Sequence, residues 1–499
     1  MTAASRALLA TVAGLLALPG CQPVGPDFRA PAVATNSAWQ QPLGDVFSSE
    51  SVSLAAWWRL FDDEVLNRLV DRTRAGNNTI EIAALRVVEA RATLAVVSGS
   101  RFPQAQALGG GARYVAPAAD SLVARNRWQY DLGASLAWEL DFWGRFRRSI
   151  EAADAAFLAS MAAHSEAQVL LTATAVDLYS RLRVAEEQLR IARENVIIQE
   201  RSYAIARINF EQGADSELDV QQAQTQLLST RAGIPALEAA LVQARNALSA
   251  LTGQPPGAVD DLLAPAGDIP AVPETLSIGV PADLLRRRPD VRRAERLAAA
   301  QSARVGVAEA ARYPSFSLTG SVGVSAGGLG DTSFGDLFDL DALNASAGAS
   351  FLWPFLNYGR LENAVRVEDA RLQQALINYL ETALVAAREV EDAIAALVAA
   401  RERAALLEET VAAARRALEL SLLRYSEGYA SFERVLRSQQ ALFSQQQRLV
   451  ASQGDIALGV VALFRALGGG WDGTSAMPDL DAQTRDAMRA RTDWGELIE

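Results

Sequence analysis

The sequence predicts a mixed fold: a membrane β-barrel that continues into a long α-helical barrel, with two structural repeats in each chain. The first observation is an internal repeat, because Trp-Gly-Arg at 143–145 returns as Tyr-Gly-Arg at 358–360, an offset of 215 residues. The second is that residues 145–212 and 360–427 lack both Gly and Pro, so each is free to form one uninterrupted helix. The third is a period of two in the residues before each stretch, which is typical of strands and not of helices.

The composition is that of an ordered protein, with 50% hydrophobic and 21% charged residues in a chain of 499. A net charge of −12 argues against a nucleic-acid partner, because phosphate binding requires a basic surface. His164 and Cys21 are the only residues of their types. They offer no Cys-His metal site and no nucleophile–base pair, so we expect no metal, no cofactor and no enzymatic activity.

The first 20 residues predict a lipoprotein signal peptide. Arg6 precedes a largely apolar run over 7–18, and a small residue stands directly before Cys21. A bacterial lipoprotein signal resembles this arrangement, which implies that Cys21 carries the lipid, and Gln22 resembles an outer-membrane address. An ordinary cleaved signal with a buried or unpaired cysteine remains the alternative. No later stretch holds 18 consecutive apolar residues, so we expect no transmembrane helix.

The repeat divides the rest of the chain into five parts. Segment 21–75 is a proline-rich N-terminal periplasmic, equatorial segment, 255–281 is a linker, and 470–499 is a polar periplasmic tail. Repeat 1 (76–254) and repeat 2 (282–469) each hold two strands, a long helix and a second helix. Their predicted bounds are 103–116, 128–142, 145–212 and 214–252 in repeat 1, and 314–326, 342–354, 360–427 and 429–467 in repeat 2.

The predicted strands have one apolar face. In 128–142 every even position is apolar, from Trp128 to Phe142, while most odd positions are polar or small. The strand 103–116 is the weakest, with Ala105 and Ala107 as its apolar positions. A soluble sheet with one wet face would alternate in the same way. Strand length, aromatic residues toward the strand ends and the expected lipid anchor favour strands that cross a membrane.

Four strands are too few to close a barrel, because the smallest known membrane barrels have about eight. An open sheet edge in lipid leaves backbone groups without hydrogen-bond partners, at several kcal/mol each. The sequence therefore predicts that several copies of the chain share one barrel.

The two long helices are predicted to end in tight turns. Each rises about 100 Å over its 68 residues, and Gly213 and Gly428 supply the left-handed residue that ends a helix. The next helix is expected to start at once, so that each pair forms an antiparallel hairpin. A solid coiled-coil rod is the alternative, but hairpins that grow out of membrane strands favour a hollow tube.

Four motifs resemble those of a known family. Val-Gly-Pro-Asp-Phe at 24–28, Trp-Trp at 57–58, Phe-Asp-Asp at 61–63 and the block at 281–295, which contains Leu-Leu-Arg-Arg-Arg-Pro-Asp, look like the TolC-like outer-membrane efflux lipoproteins. The likeness is closest to the branch that serves resistance-nodulation-division pumps, the NodT branch. It implies a homotrimer with a 12-stranded β-barrel and a 12-helix periplasmic α-barrel, anchored in outer-membrane lipid. It also implies a periplasmic membrane-fusion adaptor and an inner-membrane pump as partners, and efflux of drugs, solvents or other toxic molecules.

The resemblance places a gate at the helix tips. In the family a Tyr before the tip Gly and acidic residues after it constrict the pore, and Tyr425 matches that Tyr. Where an acidic residue is usual after the second tip this chain has Arg437, with Arg434 one turn before it. The candidate gate residues with negative charge are Asp215, Glu217, Asp219, Glu427 and Glu433. Our hypothesis is that acidic residues of one hairpin pair with Arg434 or Arg437 of its neighbour; the alternative is that the charges cap helices and stay hydrated.

Two other functions remain open at this point. A channel for type I protein secretion would have the same architecture, although lipidation and the block at 281–295 favour efflux. A structural coiled-coil lipoprotein of the envelope would have the helices without a pore.

Overall fold

The computed structural model describes residues 23–498 apart from 34–35, 37, 42–45, 49–53, 117–125, 265, 279–286, 328–332 and 474–475. The predicted signal peptide, Cys21 and the first part of the block at 281–295 lie outside the described residues.

The strands form two sheets. A short parallel pair joins the two halves of the chain, and a four-stranded antiparallel sheet has the order β2-β3-β5-β6. The strands are β1 (Phe47–Ser48), β2 (Ala105–Val115), β3 (Arg127–Leu140), β4 (Leu276–Ser277), β5 (Ser315–Ala326) and β6 (Leu343–Leu352).

The helices repeat in length as well as in order. Each repeat holds a helix of 22 residues, two strands, a helix of 67 residues and a helix of 35 residues. The 22-residue helices were not among the predicted elements, although they lie at the offset of 211 that separates Arg-Phe-Pro at 101–103 from Arg-Tyr-Pro at 312–314. The α-helices are α1 (Glu64–Gly76), α2 (Asn78–Gly99), α3 (Arg145–Glu211), α4 (Glu217–Leu251), α5 (Asp260–Leu263), α6 (Pro289–Ala310), α7 (Arg360–Ser426), α8 (Phe432–Ala466) and α9 (Ala482–Arg491).

The shorter helices join end to end. Asn77 caps α2 and donates from Nδ2 to the carbonyl of Leu251 at the end of α4, at 2.8 Å. In repeat 2, Arg288 before α6 donates from Nη1 to the carbonyl of Ala466 at the end of α8, at 2.6 Å. Two continuous helices, α3 and α7, therefore run beside two composite rows, α4 with α2 and α8 with α6. Each chain therefore supplies four rows of helix that lie side by side.

The second helix of each hairpin starts three residues later than predicted, at Glu217 and Phe432. Ser216 and Ser431 hold the extended conformation of a helix N-cap, so the turns run over 212–216 and 427–431. The expectation that the next helix starts at once was wrong, because each turn ends in a capping serine that the Gly signal does not reveal.

The main core lies where the two halves of the chain meet, around β1, β4 and the middle of α3. Trp57 is 1% exposed and its ring stacks on Phe464 with centroids 5.2 Å apart. The Tyr179 hydroxyl donates to Asp63 at 2.5 Å. The predicted N-terminal segment 21–75 ends in a 3₁₀-helix (Trp57–Phe61) and in α1, whose apolar residues fill this core. Similarly, the tail 470–499 contains α9, which packs on α2 through Met488.

One described helix, α8, is long and apolar enough to cross a membrane by composition, which the sequence had not predicted. Half of its most apolar window is buried. Val460, Val461 and Phe464 belong to the main core, so packing within the bundle accounts for its apolar character.

Candidate functional site

The four-stranded sheet separates apolar and polar side chains onto opposite faces. Directly paired residues of antiparallel strands share a face. Leu132 pairs with Val324, and Val324 with Leu343. On the opposite face Ser321 pairs with Ser346, and their hydroxyls are 2.8 Å apart. The apolar face is not covered by the bundle: Leu132, for example, is 48% exposed.

The register corrects the predicted phase of β2. Ala107 pairs with Ser135 and Leu108 with Ala134. Ala105 and Ala107 therefore lie on the polar face, and Leu108 and Tyr114 lie on the apolar face with the even positions of β3. The alternation of residue types was misleading here because alanine fits either face of a sheet. The three glycines at 109–111 also carry no side chain that would show which positions are apolar.

Aromatic rings cluster at both ends of the apolar face. The ring centroids of Tyr114 and Trp128 are 5.3 Å apart at one end, and those of Phe316 and Phe351 are 6.2 Å apart at the other. Tyr130 lies next to the first cluster and Leu140 is paired with Phe316 of the second. These two residues are ten positions apart on β3, which is about 33 Å along the strand. A strand tilt of about 45° reduces the height to roughly 23 Å, close to the ~25 Å apolar band between the aromatic girdles of membrane barrels.

The N-terminal segment is fixed where the sheet joins the bundle. Arg148, only 3% exposed, donates to the carbonyls of Val24 and Gly25 and to Asp27, at 2.8–3.2 Å. A Cβ on Gly306 would lie 2.9 Å from the Val24 carbonyl oxygen, so this crossing requires glycine. Residues 23–27, which contain the Val-Gly-Pro-Asp motif, are called the strap here; the strap lies on the surface at the base of the sheet and is held by the buried Arg148 side chain.

The far ends of the long helices close in matched turns. Gly213 and Gly428 have φ of +75° and +79°. In each turn the backbone N–H of the next residue donates to the carbonyl five positions before it, Ala214 to Asn209 and Tyr429 to Arg424, at 2.8 Å. This hydrogen bond is characteristic of the Schellman motif, which ends a helix on a left-handed residue. The predicted tip residues Gly213 and Gly428 therefore lie at the turns.

A polar cluster joins the two tips. The Tyr425 hydroxyl donates to Asp215 and accepts from Asn209 Nδ2 at 2.7 Å, while the Asn209 amide also contacts Asp215 at 3.1 Å. Tyr425 stacks at a tilt on Phe432, with ring centroids 5.2 Å apart. Burial and the hydrogen bond to Asp215 raise the pKa of Tyr425 to about 12, so the hydroxyl keeps its proton at neutral pH.

The remaining predicted gate charges are not joined across the hairpins within the chain. Arg437 pairs with Glu433 one turn away on its own helix. Asp219 accepts from Ser216 in a capping box. Arg434, Glu217 and Glu427 are exposed, and among the described residues none of these three has an ion-pair partner within 4 Å.

Sequence reasoning did not identify Asn209 as a gate residue. The only available signal was its position, one residue before Phe210, which occupies the place of Tyr425 at the 215 offset. The offset predicts which positions correspond, but not that Tyr425 of one tip reaches across to Asp215 of the other.

A sheet with one apolar and one polar face, aromatic ends and a helical continuation defines a class: outer-membrane channel proteins. A family model described as outer membrane efflux protein matches residues 69–254 and 280–469. The chain belongs to this family, and it is an outer-membrane efflux channel. Class, location and family are as the sequence predicted.

Characterised relatives match along almost their whole length. Nodulation protein T of Rhizobium leguminosarum is 31% identical, covering 97% of each chain. The toluene efflux pump outer membrane protein TtgC of Pseudomonas putida is 30% identical over 94% of this chain and 96% of its own. The cation efflux system protein CusC of Escherichia coli is 29% identical over 91% and 97%.

Solved structures share the fold. The outer-membrane channel OprN is 33% identical, with a TM-score of 0.84 over 90% of this chain and 99% of its own. The open state of the MtrE outer-membrane channel of Neisseria gonorrhoeae is 25% identical, with a TM-score of 0.78 over 91% and 100%.

Proposed function

We propose that three copies of this chain form one tube, in which a 12-stranded β-barrel crosses the outer membrane and a 12-helix barrel extends into the periplasm. The observation that carries the proposal is the four-stranded sheet. Its outer strands, β2 and β6, each have one edge without a strand partner among the described residues. Its exposed apolar face suits lipid, and its serine- and glycine-rich face suits a water-filled lumen.

The tube conducts small compounds out of the cell as the outer-membrane part of a tripartite pump. A periplasmic membrane-fusion adaptor meets the helix tips, and an inner-membrane pump supplies the energy. The names of the relatives, which include a toluene efflux pump and a cation efflux system, support this reading over type I protein secretion. These relatives share the fold but are named for different exported compounds. We therefore propose that the pump that this channel serves, and not the channel, selects the exported compound.

The tips act as the gate. The Asn209–Tyr425–Asp215 cluster holds the two hairpins of one chain together at the turn. Arg434 is exposed near the second tip, and we propose that it pairs with an acidic residue of a neighbouring hairpin in another chain. From the sequence we expected such pairing between neighbouring hairpins for Arg434 or Arg437. Cys21 carries the lipid, and the strap holds the chain that follows it at the base of the sheet.

Deletion of the gene in its native host tests this function. Susceptibility to a panel of dyes, solvents, antibiotics and metal ions should rise for at least one class, and the full-length gene should restore resistance. Light scattering of the purified protein should give a trimer. Unchanged susceptibility to every class, together with a monomeric particle in detergent, would contradict the proposal.

Lipidation has its own measurement. Cells that express the wild type should incorporate labelled palmitate into this protein, and Cys21→Ser should incorporate none. Equal labelling of both would exclude Cys21 as the acylated residue.

A further inference from the structure

The chain contains one complete joint between its two repeats, and this joint serves as a template for the contact between chains. In the joint β3 of repeat 1 pairs with β5 of repeat 2. Below the strands, the Trp143 ring stacks on Tyr313 with centroids 4.6 Å apart, and its indole N–H donates to the Pro314 carbonyl at 2.8 Å.

The repeat counterparts of these two aromatic residues are exposed. Tyr358, 215 residues after Trp143, is 97% exposed. Phe102, 211 residues before Tyr313, is 66% exposed. Tyr358 also has a φ of +54°, a conformation that costs a side-chain-bearing residue free energy and persists where surrounding contacts hold it. Within the described part of a single chain, neither residue has the aromatic partner that its counterpart has.

The hairpins fix how the strands correspond. Ala137 pairs with Ala105 in repeat 1, and Leu352, at an offset of 215 from Ala137, pairs with Ser315 in repeat 2. Ser315 lies 210 residues after Ala105, whereas the tripeptides before these strands differ by 211. Repeat 1 therefore has one extra residue between Pro103 and its strand, and within the strands the offset is 210.

We infer that β6 of one protomer pairs with β2 of a second copy of this chain in one register, with Ala349 opposite Ala112. The register is that of the internal β3–β5 pairing, in which Ala134 lies opposite Val322. Tyr358 then stacks on Phe102 of the neighbouring protomer, as Trp143 stacks on Tyr313. This inference rests on the proposed shared barrel and adds to it the residues that meet where two protomers join. This contact between β6 of one protomer and β2 of the next is called the seam.

The side chains on the apolar face fit this register. It sets Phe351 opposite Gly110 and Ala347 opposite Tyr114, so large residues meet small ones at the seam. Each pair lies on the same face on both strands, because even positions of β2 and odd positions of β6 are the apolar ones. A slip by one residue would place an apolar row against a polar one.

The seam between chains differs from the internal joint in one respect. Arg148 binds the strap and Gly306 leaves room for it. At the same positions in the other repeat the chain has Asn363 and Ala95. Asn363 has no guanidinium to hold the strap carbonyls, and the methyl group of Ala95 occupies the space that the strap needs at Gly306. The strap therefore belongs to the internal joint, and the aromatic pair holds the base of the seam between chains.

Paired cysteines test the register in the full-length protein. Ala112→Cys with Ala349→Cys should form a disulfide between protomers on mild oxidation, because directly opposite Cα atoms lie ~4.5–5.5 Å apart. Ala112→Cys with Ala347→Cys, shifted by two residues, is the matched control and should remain uncrosslinked. Cys21 is the only native cysteine, and each single variant measures its background.

The outcomes separate the inference from the proposed function. Crosslinking of the shifted pair, or of neither pair in a protein that is still a trimer by light scattering, would overturn the register and leave the shared barrel intact. A monomer that crosslinks with neither pair would overturn both.

The aromatic contact is tested independently by Tyr358→Ala. Dissociation of the trimer in detergent should begin several degrees lower than in the wild type. Tyr429→Ala, which removes another exposed tyrosine at the far tip, should leave the dissociation temperature unchanged. Equal behaviour of the two variants would contradict the stacking of Tyr358 on Phe102.

Discussion

At the scale of single residues, Tyr425 joins the two tips through one hydroxyl. It donates to Asp215 and accepts from Asn209, so each group of the cluster has a partner that matches its chemistry. Of the charges predicted for the gate, Asp215 is the one that, in the described part of the chain, forms a hydrogen bond with the other hairpin. Arg437, by contrast, is held by Glu433 on its own helix.

Replacing Tyr425 by Phe should raise single-channel conductance in planar lipid bilayers several-fold. The substitution keeps the ring against Phe432 but removes the hydroxyl that donates to Asp215, so the tips separate more readily. Asp215→Asn keeps an acceptor for the same hydroxyl and should have a smaller effect. Conductance equal to the wild type in Tyr425→Phe would show that the cluster does not restrict the pore.

The same cluster should respond to alkaline pH. The folded-state pKa of Tyr425 is raised from 10.0 to about 12, so its stabilising contribution is complete below pH 10 and is lost as the pH rises toward 12. Ionised Tyr425 would repel Asp215. Wild-type conductance should therefore increase between pH 10 and 12, while Tyr425→Phe should show no such increase; a parallel rise in both would assign the effect to other groups.

At the scale of elements, glycine decides where helices turn and where segments cross. Gly306 allows the strap to approach α6, and Gly428 ends α7 with a left-handed residue. The helix tips and the base of the sheet are thus set by backbone geometry, and the side chains of Arg148 and Tyr425 then fix what the backbone brings together.

Gly306→Ala should release the strap. The added methyl group would lie 2.8 Å from Arg148 Cγ and 2.9 Å from the Val24 carbonyl oxygen. We expect limited proteolysis to cleave near residues 23–27 faster than in the wild type. Gly99→Ala in the counterpart helix is the control, because its methyl group meets nothing within 4 Å; equal cleavage in the two variants would argue against the strap contact.

Two further glycine substitutions should change local stability in opposite directions. Gly428→Ala places a Cβ at φ +79° and should destabilise the tip by about 1 kcal/mol. Gly233→Ala lies inside α4 with open space around it and should stabilise that helix by up to about 1 kcal/mol. Amide hydrogen exchange at the two sites measures both changes, and faster exchange in Gly233→Ala would contradict the assignment.

At the scale of the whole molecule, two repeats build four rows of helix and four strands. The long helices and strands were readable from sequence because uninterrupted helices and alternating strands leave strong patterns. The 22-residue helices were not, because α2 has apolar residues around most of its circumference and its boundary with α1 is a single Asn cap. The Tyr425–Asp215 contact was also missed, since it depends on how two hairpins pack rather than on either one.

In the assembled channel the polar face of the sheet is predicted to line a water-filled pore, while the apolar face meets lipid. Cysteines placed in turn at Leu318, Thr319, Ser321 and Val322 of β5, in whole cells, test it most directly. A charged thiol reagent that does not cross membranes should label positions 319 and 321, whereas 318 and 322 should react only with a lipid-soluble maleimide. Equal labelling of all four positions by the charged reagent, or labelling of none, would contradict the pore.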